Sequence, residues 1–453
     1  MNDTIATIST SLGVGAISII RVSGPEAIEI VSKIFTKDLS NVSSHTINYG
    51  YIKDKNNIID EVLVSLMKAP KTYTKEDLVE INCHGGIATT NKILELLIQK
   101  GCRLAEPGEF TKRAFLNGRI DLVQAEAVNS LLNATTDISR KQAINELKGN
   151  NSDIIRKLRD KLIQMISNIE VNIDYPEYED IEVLTNDKIL PQLKEYLSNL
   201  EAIISTSKEG RIIKEGINVA LIGKPNVGKS SLLNTLLEEE KAIVTNIAGT
   251  TRDIVEGQIS ISGILLNLVD TAGIRDTDNI IEQIGVEKSK KVINNCNLIL
   301  LIFNNNDVLT SEDKEIFNYV KSTNKPIIIV INKVDLDTKL DKKLLSNDYK
   351  IVEISTKTKE GIIDLKDAIK ETFNLEKIIT EDVNYLFNSR SVGLLEKSKD
   401  KIIEAINDIN NNYPIDIVEL EIKLAWEILG EIIGETYTEE LIDNLFSRFC
   451  LGK

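Results

Sequence analysis

The chain has 453 residues, 42% of them apolar and 27% charged, with a mean hydropathy of −0.08, a composition that belongs to folded globular chains and excludes a disordered one. Fifty-four basic against 69 acidic residues give a net charge of −15 and a pI near 4.9, so bulk electrostatics cannot hold nucleic acid; an RNA partner needs a local basic patch or a second, basic protein. Two histidines (His45, His84) and four cysteines without CxxC spacing leave almost no room for a structural zinc or a His-based triad, and point to a reducing compartment.

At roughly 150 residues per domain, two to four domains are expected. Residues 1–116 mix short strands at 16–22, 63–67 and 78–82 with helices at 26–35 and 89–100, an α+β pattern. From 117 to 212 the spacing turns helical: Leu122, Ala125, Val128, Leu131 and Leu132 recur on one face, as do Ile154, Leu158, Leu162 and Ile166. Residues 213–377 alternate strand and helix, with strands at 217–222, 265–269, 298–303, 327–331 and 351–354 and a helix at 230–237, which predicts a largely parallel sheet between helical layers. Residues 378–453 are helical again, with Ile402, Ile406 and Ile409 on one face and Ile417, Leu420, Leu424 and Ile428 on another. The economical architecture is one helical domain (117–212 with 378–453) interrupted by an inserted α/β domain. The longest apolar runs, such as 298–303 and 327–331, are too short to span a membrane, and no secretory leader pattern opens the chain, so a cytoplasmic location is expected.

The insert carries the chemistry. Residues 223–230 read GKPNVGKS, directly after a strand and before a helix, so loop amides and the helix N-terminus can surround a β-phosphate. Asn226, Val227, Gly228, Lys229, Ser230 and Ser231 form this candidate phosphate site, with Lys229 aimed at the β and γ oxygens and the Ser230 hydroxyl at Mg²⁺. Asp270-Thr271-Ala272-Gly273 ends the next strand; Asp270 can reach the metal through water and the Gly273 amide can reach the γ-phosphate. Asn332-Lys333-Val334-Asp335 offers a carboxylate to the N1–H and N2 amino group of guanine, a donor pair that adenine lacks. Ser355-Thr356-Lys357 follows the last strand and supplies backbone donors to the guanine O6. Four motifs in this order on these elements specify a GTP-binding domain.

Water activation is less ordinary. The position after DTAG is Ile274, which can neither donate nor accept, where many small GTPases carry Gln. Thr245-Asn246-Ile247-Ala248-Gly249-Thr250-Thr251 has the character of a switch whose Thr251 can ligate Mg²⁺. Its turned carbonyls, with Asn226, can hold a monovalent cation that neutralises charge as an arginine finger would; the competing reading of Asn226 is a loop-stabilising hydrogen bond. Glu282 is the best nearby carboxylate for polarising water, and an exposed switch charge is its competing reading.

Over its full length the chain resembles the MnmE/TrmE family of tRNA-modification GTPases. The resemblance is carried by VGAISIIRVSG (14–24), YTKEDLVEINCHGG (73–86), PGEFTKRAFL (107–116), DLVQAEA (121–127), the insert motifs and the FCLGK ending (449–453). It implies an N-terminal α+β folate-binding and dimerisation domain (1–116), a discontinuous helical domain (117–212, 378–453) and an inserted Ras-like P-loop GTPase domain (213–377). It implies potassium-dependent GTP hydrolysis in a homodimer that works with MnmG, an FAD-containing partner, in a heterotetramer or larger assembly. The pair uses a one-carbon tetrahydrofolate (5-formyl or 5,10-methylene) to place an aminomethyl-type group (cmnm5) on C5 of the wobble uridine of tRNA; FAD is expected only in the partner, and neither DNA nor membrane is a partner. By motif match the potassium ligands are Asn226 and the carbonyls of Thr245, Ile247 and Thr250; the magnesium ligands are Ser230 and Thr251; the catalytic carboxylate is Glu282. Arg21, Glu80 and Lys453 match folate-binding positions, and Arg119 stands where the family carries Lys. Cys450 is either a nucleophile or a locally packed thiol, whereas Cys83, Cys102 and Cys296 read as core. Two other classes stay open on the residues alone: a ribosome-associated or signalling GTPase, which folate binding would exclude, and a non-enzymatic switch scaffold, which potassium-stimulated turnover would exclude.

Overall fold

The computed structural model describes residues 3–174, 186–239, 257–270, 293, 295–342, 345, 348–373, 375, 388–449 and 452. They form two compact units: Met1–Asn129 with Glu146–Leu193 and Lys397–Lys453, and Ser130–Asn145 with Lys194–Glu396.

The first unit begins with β1 (Ile5–Ile8), β2 (Gly15–Ser23), α1 (Ala27–Ile34), β3 (Thr46–Asp54), β4 (Asn57–Met67), β5 (Leu78–Gly85), α2 (Ile87–Gln99) and β6 (Arg103–Leu104). The strands form one sheet in the order β3-β4-β5-β2-β1-β6, antiparallel except for the β1–β6 pair. Alternation sorts its two faces. Ile20 and Val22 of β2, with Val79 and Ile81 of β5, bury against Ile30, Val31 and Ile34 of α1 and Ile93, Leu96 and Leu97 of α2. Arg21 and Glu80 fall on the other face, as opposed partners in the β2–β5 register. The same face holds Ile5 and Leu78 against Phe110 of α3 (Glu109–Leu116).

The helices α4 (Leu122–Leu132), α5 (Asp137–Leu147), α6 (Asn150–Asp174) and α7 (Asn186–Glu215) follow. In α6 the buried stripe is Ile155, Leu158, Leu162, Ile166 and Ile169, so Ile155 rather than the half-buried Ile154 leads it.

The second unit carries β7 (Ile217–Ile222), α8 (Lys229–Glu239), β8 (Gly257–Ile261), β9 (Ile264–Asp270), β10 (Leu298–Asn304), α9 (Ser311–Lys321), β11 (Ile327–Asn332), β12 (Lys350–Glu353) and α10 (Ile362–Thr372). Its sheet runs β12-β11-β10-β7-β9-β8 with only the β8–β9 edge antiparallel. Leu232 and Leu236 of α8 and Leu365 and Ile369 of α10 cover one face; Val320 of α9 covers the other, over Ile299, Leu301 and Ile329. Strands buried on both faces explain why 298–303 and 327–331 read as continuous apolar runs.

The chain closes with α11 (Ser389–Asn410), α12 (Ile415–Ile433) and α13 (Glu439–Phe446). The α12 face differs from the expected one: Val418, Ile422, Ala425, Leu429 and Ile432 are buried, while Ile417 and Leu420 are exposed. Apolar residues ring most of this helix, so two stripes have helical spacing and packing against α6 selects one. Ile442, Phe446 and Phe449 then pack on Ala114 and Phe115 of α3, which returns the end of the chain to the first sheet.

Candidate functional site

The strand-to-helix loop after β7 is held by the loop after β11. Asn332 is fully buried; its amide donates to the Val227 carbonyl at 2.9 Å, and its Oδ1 accepts from the backbone amides of Lys333 (2.8 Å) and Thr356 (3.3 Å). Gly228 has φ +100°, and a Cβ there would collide with the Asn332 amide, so only glycine lets the two loops meet. Asn226 is exposed at φ +65°, and its carbonyl accepts from Lys333 Nζ at 2.9 Å. Val227 is buried under the loop, while Ser230 and Ser231 are exposed in the first turn of α8. The Lys229 ammonium donates to the carbonyls of Gly223 and Lys224, both at 2.8 Å, so it lies against its own loop.

The base end is assembled next to it. The Asp335 Oδ1 accepts from the Ser355 hydroxyl at 2.7 Å, and Ser355 Oγ in turn accepts from the Thr358 amide at 3.2 Å. Val334 N–H donates to the Ile354 carbonyl at 3.2 Å, and the Thr356 carbonyl accepts from Thr235 of α8 at 3.5 Å. Asp335 and Lys357 are exposed. Asp270 pairs with Leu221 at the end of β9. Thr245, Asn246, Ile247, Ala248, Gly249, Thr250 and Thr251, with Thr271, Ala272, Gly273 and Glu282, lie outside the described residues, as do Cys450 and Lys453.

A second polar cluster occupies the far face of the first sheet. Arg21 Nε donates to Glu80 Oε1 at 2.9 Å and its Nη2 lies 2.8 Å from the same oxygen; its Nη1 donates to the Gly452 carbonyl at 3.0 Å. The Arg21 guanidinium lies 5.8 Å from the Tyr73 ring centre and 5.6 Å from that of Phe110. Arg119 sits 4.7 Å over the same Tyr73 ring, so the two arginines share one aromatic plate.

Sequence reasoning assigned no role to Tyr73, Phe110 or the ionic frame behind them. Arg113, 1% exposed, joins Glu109 of its own helix at 3.0 Å, Asp3 at 2.8 Å and Glu76 at 3.1 Å. Burial acts to raise the Glu109 pKa, but Arg103 and Arg113 outweigh it and hold the carboxyl below its ordinary value. Glu76 also accepts from Ser23, two residues beyond Arg21 on β2. The frame thereby locks α3 and the 73–77 loop to the sheet. Its signal was the acidic and basic spacing of PGEFTKR, which on one sequence reads equally well as a solvated helix.

Of the three core cysteines, Cys83, Cys102 and Cys296 are all buried, and burial pushes Cys83 up to about 11 and Cys102 up to about 12. They are protonated and unreactive at neutral pH. Trp426 packs under the Arg159 guanidinium at 4.1 Å, on the α6–α12 contact.

Comparison with known proteins places the whole chain. A family model described as the GTP-binding protein TrmE N-terminus matches residues 4–119, and one described as the MnmE helical domain matches residues 122–450. The tRNA modification GTPase MnmE of Bacillus cytotoxicus is 50% identical over 457 residues, covering 100% of this chain and 99% of that one. The protein of the same description from Bacillus licheniformis is 49% identical over 460 residues and covers both chains completely, at 100% each. Among solved structures, the G domain of the T. maritima FeoB iron transporter is 28% identical, covers 34% of this chain and 98% of that chain, and has a TM-score of 0.27.

Proposed function

The chain belongs to the MnmE family of tRNA modification GTPases, and from that premise we propose that it couples GTP hydrolysis to one-carbon transfer from a folate onto the wobble uridine of tRNA. In this reading residues 213–377 are the GTPase domain, 1–116 the folate-binding and dimerisation domain, and 117–212 with 378–453 the helical domain.

The phosphates of GTP accept from the loop amides and the start of α8, where Lys229 exchanges the Gly223 and Lys224 carbonyls for phosphate oxygens. Asp335, already oriented by Ser355, accepts from the guanine edge. The donors proposed for Mg²⁺, Ser230 and Thr251, are hard oxygens suited to that ion. For K⁺, the Asn226 backbone carbonyl is taken by Lys333, which leaves the side-chain oxygen as its donor beside the carbonyls of Thr245, Ile247 and Thr250. Bound there, the cation supplies the positive charge that an arginine finger supplies elsewhere. Glu282 is the residue assigned to polarise water.

The observation that carries the modification half is the Arg21–Glu80–Gly452 cluster. A carboxylate beside a guanidinium, set among the Tyr73 and Phe110 rings, suits the flat amino-pyrimidinone of a pterin. Arg119 and Lys453 are the cations for the glutamate tail. The folate supplies the one-carbon unit, and an FAD-containing MnmG-type partner supplies the redox chemistry. With a net charge of −15, this protein leaves most of the tRNA-binding surface to that partner. A homodimer in the cytoplasm is the form in which we expect it to act; among the described residues no helix is long and apolar enough to cross a membrane.

Nucleoside analysis of tRNA from cells lacking the gene tests the assignment. The C5-modified wobble uridine should disappear, return with the wild-type gene, and stay absent with Glu80→Ala. Unchanged wobble uridine in the deletion strain would refute it.

A further inference from the structure

The connection between β10 and α9 touches both halves of the nucleotide site through side chains that no motif contains. At its start Asn305, 1% exposed, donates its backbone N–H to the Asn332 carbonyl at 2.8 Å and its side-chain amide to Leu336 O and Thr338 Oγ1, both at 3.2 Å. The Asn305 carbonyl accepts from the amides of Lys339 (2.9 Å) and Leu340 (3.1 Å), so this one residue clasps the guanine loop. At its end Thr310 and Asp313 form the capping box of α9. Here Asp313 has a side chain only 6% exposed, and its Oδ2 sits 2.6 Å from the ammonium of Lys224, which also donates to Thr310 Oγ1 at 3.0 Å.

Lys224 is the second residue of the phosphate loop. Its carbonyl and that of Gly223 seat the Lys229 ammonium. Its side chain therefore ties the backbone that holds the phosphate lysine to a helix start on another strand's connection. Between the two ends, Asn304 donates to Asp307 Oδ2 at 2.7 Å and accepts from the Asn306 amide at 3.1 Å, which stiffens the segment.

We propose that Lys224 and Asp313 are positioning residues for phosphate binding, the β10–α9 connection being a brace that holds the phosphate loop in place against the guanine loop. The inference rests on the reading of this unit as the GTPase. It adds that the loop's phosphate affinity depends on an ion pair that ties the phosphate-loop motif to Asp313, a residue outside the four nucleotide motifs. A half-buried pair loses most when one partner is removed, because the other is left unpaired.

The test uses the full chain and four variants: Lys224→Met, Asp313→Asn, the double variant, and Lys224→Arg. Fluorescent GDP affinity, guanosine competition, the KM and kcat of GTP hydrolysis, and Tm are measured on each. Each single neutral variant should weaken GDP and raise the KM for GTP by about three- to thirtyfold, the range expected for coupled neighbours, with kcat within about twofold. Guanosine affinity should hold, because Asn305 still clasps the guanine loop. The double variant should be no worse than the more affected single variant, and Lys224→Arg should stay near wild type. Unchanged GDP affinity in the single variants, additive losses in the double, or an equal loss of guanosine affinity would overturn the proposal. Asn can still accept at the cap, and Lys224→Met keeps both capping residues, Thr310 and Asp313, and their mutual hydrogen bonds, so the test survives a poorly folding Asp313 variant. Wild-type protein that binds neither GDP nor guanosine would instead overturn the GTPase reading itself.

Discussion

Arg21 of β2 donates to the carbonyl of Gly452, 431 positions later in the chain, at 3.0 Å. The contact forms because Phe446 and Phe449 bury against α3 and bring the tail back to the first sheet. Gly452 has φ +89°, and a Cβ there would lie 2.7 Å from the Ser9 Cα, so both backbone conformation and packing require glycine there. The start and the end of the chain thus share one polar cluster with Glu80.

Gly452→Val should therefore unseat the tail and weaken binding of 5-formyltetrahydrofolate, as should deletion of 451–453. GTP turnover should persist, since every described residue assigned to the nucleotide site lies in the second unit. Titration with the folate and a GTPase assay on the same preparations check this. Wild-type folate affinity in both variants would separate the tail from the folate site.

Asp335→Asn should shift preference from guanine toward xanthine nucleotides, because an amide presents one donor where two acceptors are required. The loss for GDP should be about 1.5–3 kcal/mol, the value of a charged hydrogen bond. Ser355→Ala should cost less, since it removes the orienting bond at 2.7 Å and the acceptor of the Thr358 amide but leaves the carboxylate itself in place. Competition titrations with GDP and XDP read both effects, and unchanged guanine selectivity in Asp335→Asn would remove Asp335 from the base site.

Much of the nucleotide site was legible because its motifs are local: GKPNVGKS and NKVD each place loop and element together within a few residues. Three-dimensional facts were not legible. That Asn332 spends its amide on Val227, or that Lys224 reaches Asp313, depends on strands brought side by side by the β7–β10–β11 order. In the first unit Ile5–Ile8 and Thr46–Asp54 were missing from the sequence reading, the first because four residues carry little periodicity, the second because Tyr49 and Ile47 lie exposed where polar residues are expected. The α12 face was misplaced between Ile417 and Val418 for a related reason: an apolar helix leaves the choice of stripe to its neighbour. Arg21 and Glu80 were singled out by resemblance, whereas the placing of Tyr73 and Phe110 beside Arg21 depends on how α3 and the 73–77 loop pack on the sheet.

Asn226→Ala should abolish the potassium response of GTP hydrolysis while GDP binding stays within about threefold, because Lys229, the loop amides and Asn332 remain. Turnover measured in KCl and NaCl at equal ionic strength checks it. Equal rates for the wild type in the two salts would eliminate the cation, and a Glu282→Ala variant with full turnover would eliminate that carboxylate.

The ionic frame around Arg113 makes the first unit sensitive to acid. Glu109 is held below its ordinary value of 4.5, chiefly by Arg103 and Arg113 acting against burial. A carboxyl whose pKa is depressed on folding contributes stability that is fully present above its unfolded value and is lost as pH falls through its folded one. Thermal unfolding of the first unit should thus hold steady from neutral pH to about 5 and decline below about 4.5. Glu109→Gln should lower Tm at pH 7 and flatten that decline. Arg113→Met is the harsher change, leaving Glu109, Glu76 and Asp3 without their shared cation; breaking one partner of a buried pair costs about 3–5 kcal/mol. Because the same frame holds the 73–77 loop, Arg113→Lys should weaken folate affinity at temperatures where the unit remains folded: one ammonium cannot span Asp3, Glu76 and Glu109 as the guanidinium does. Folate titration against a melting curve of the same variant separates the two effects. Full folate affinity in a destabilised Arg113→Lys protein would confine the frame to stability.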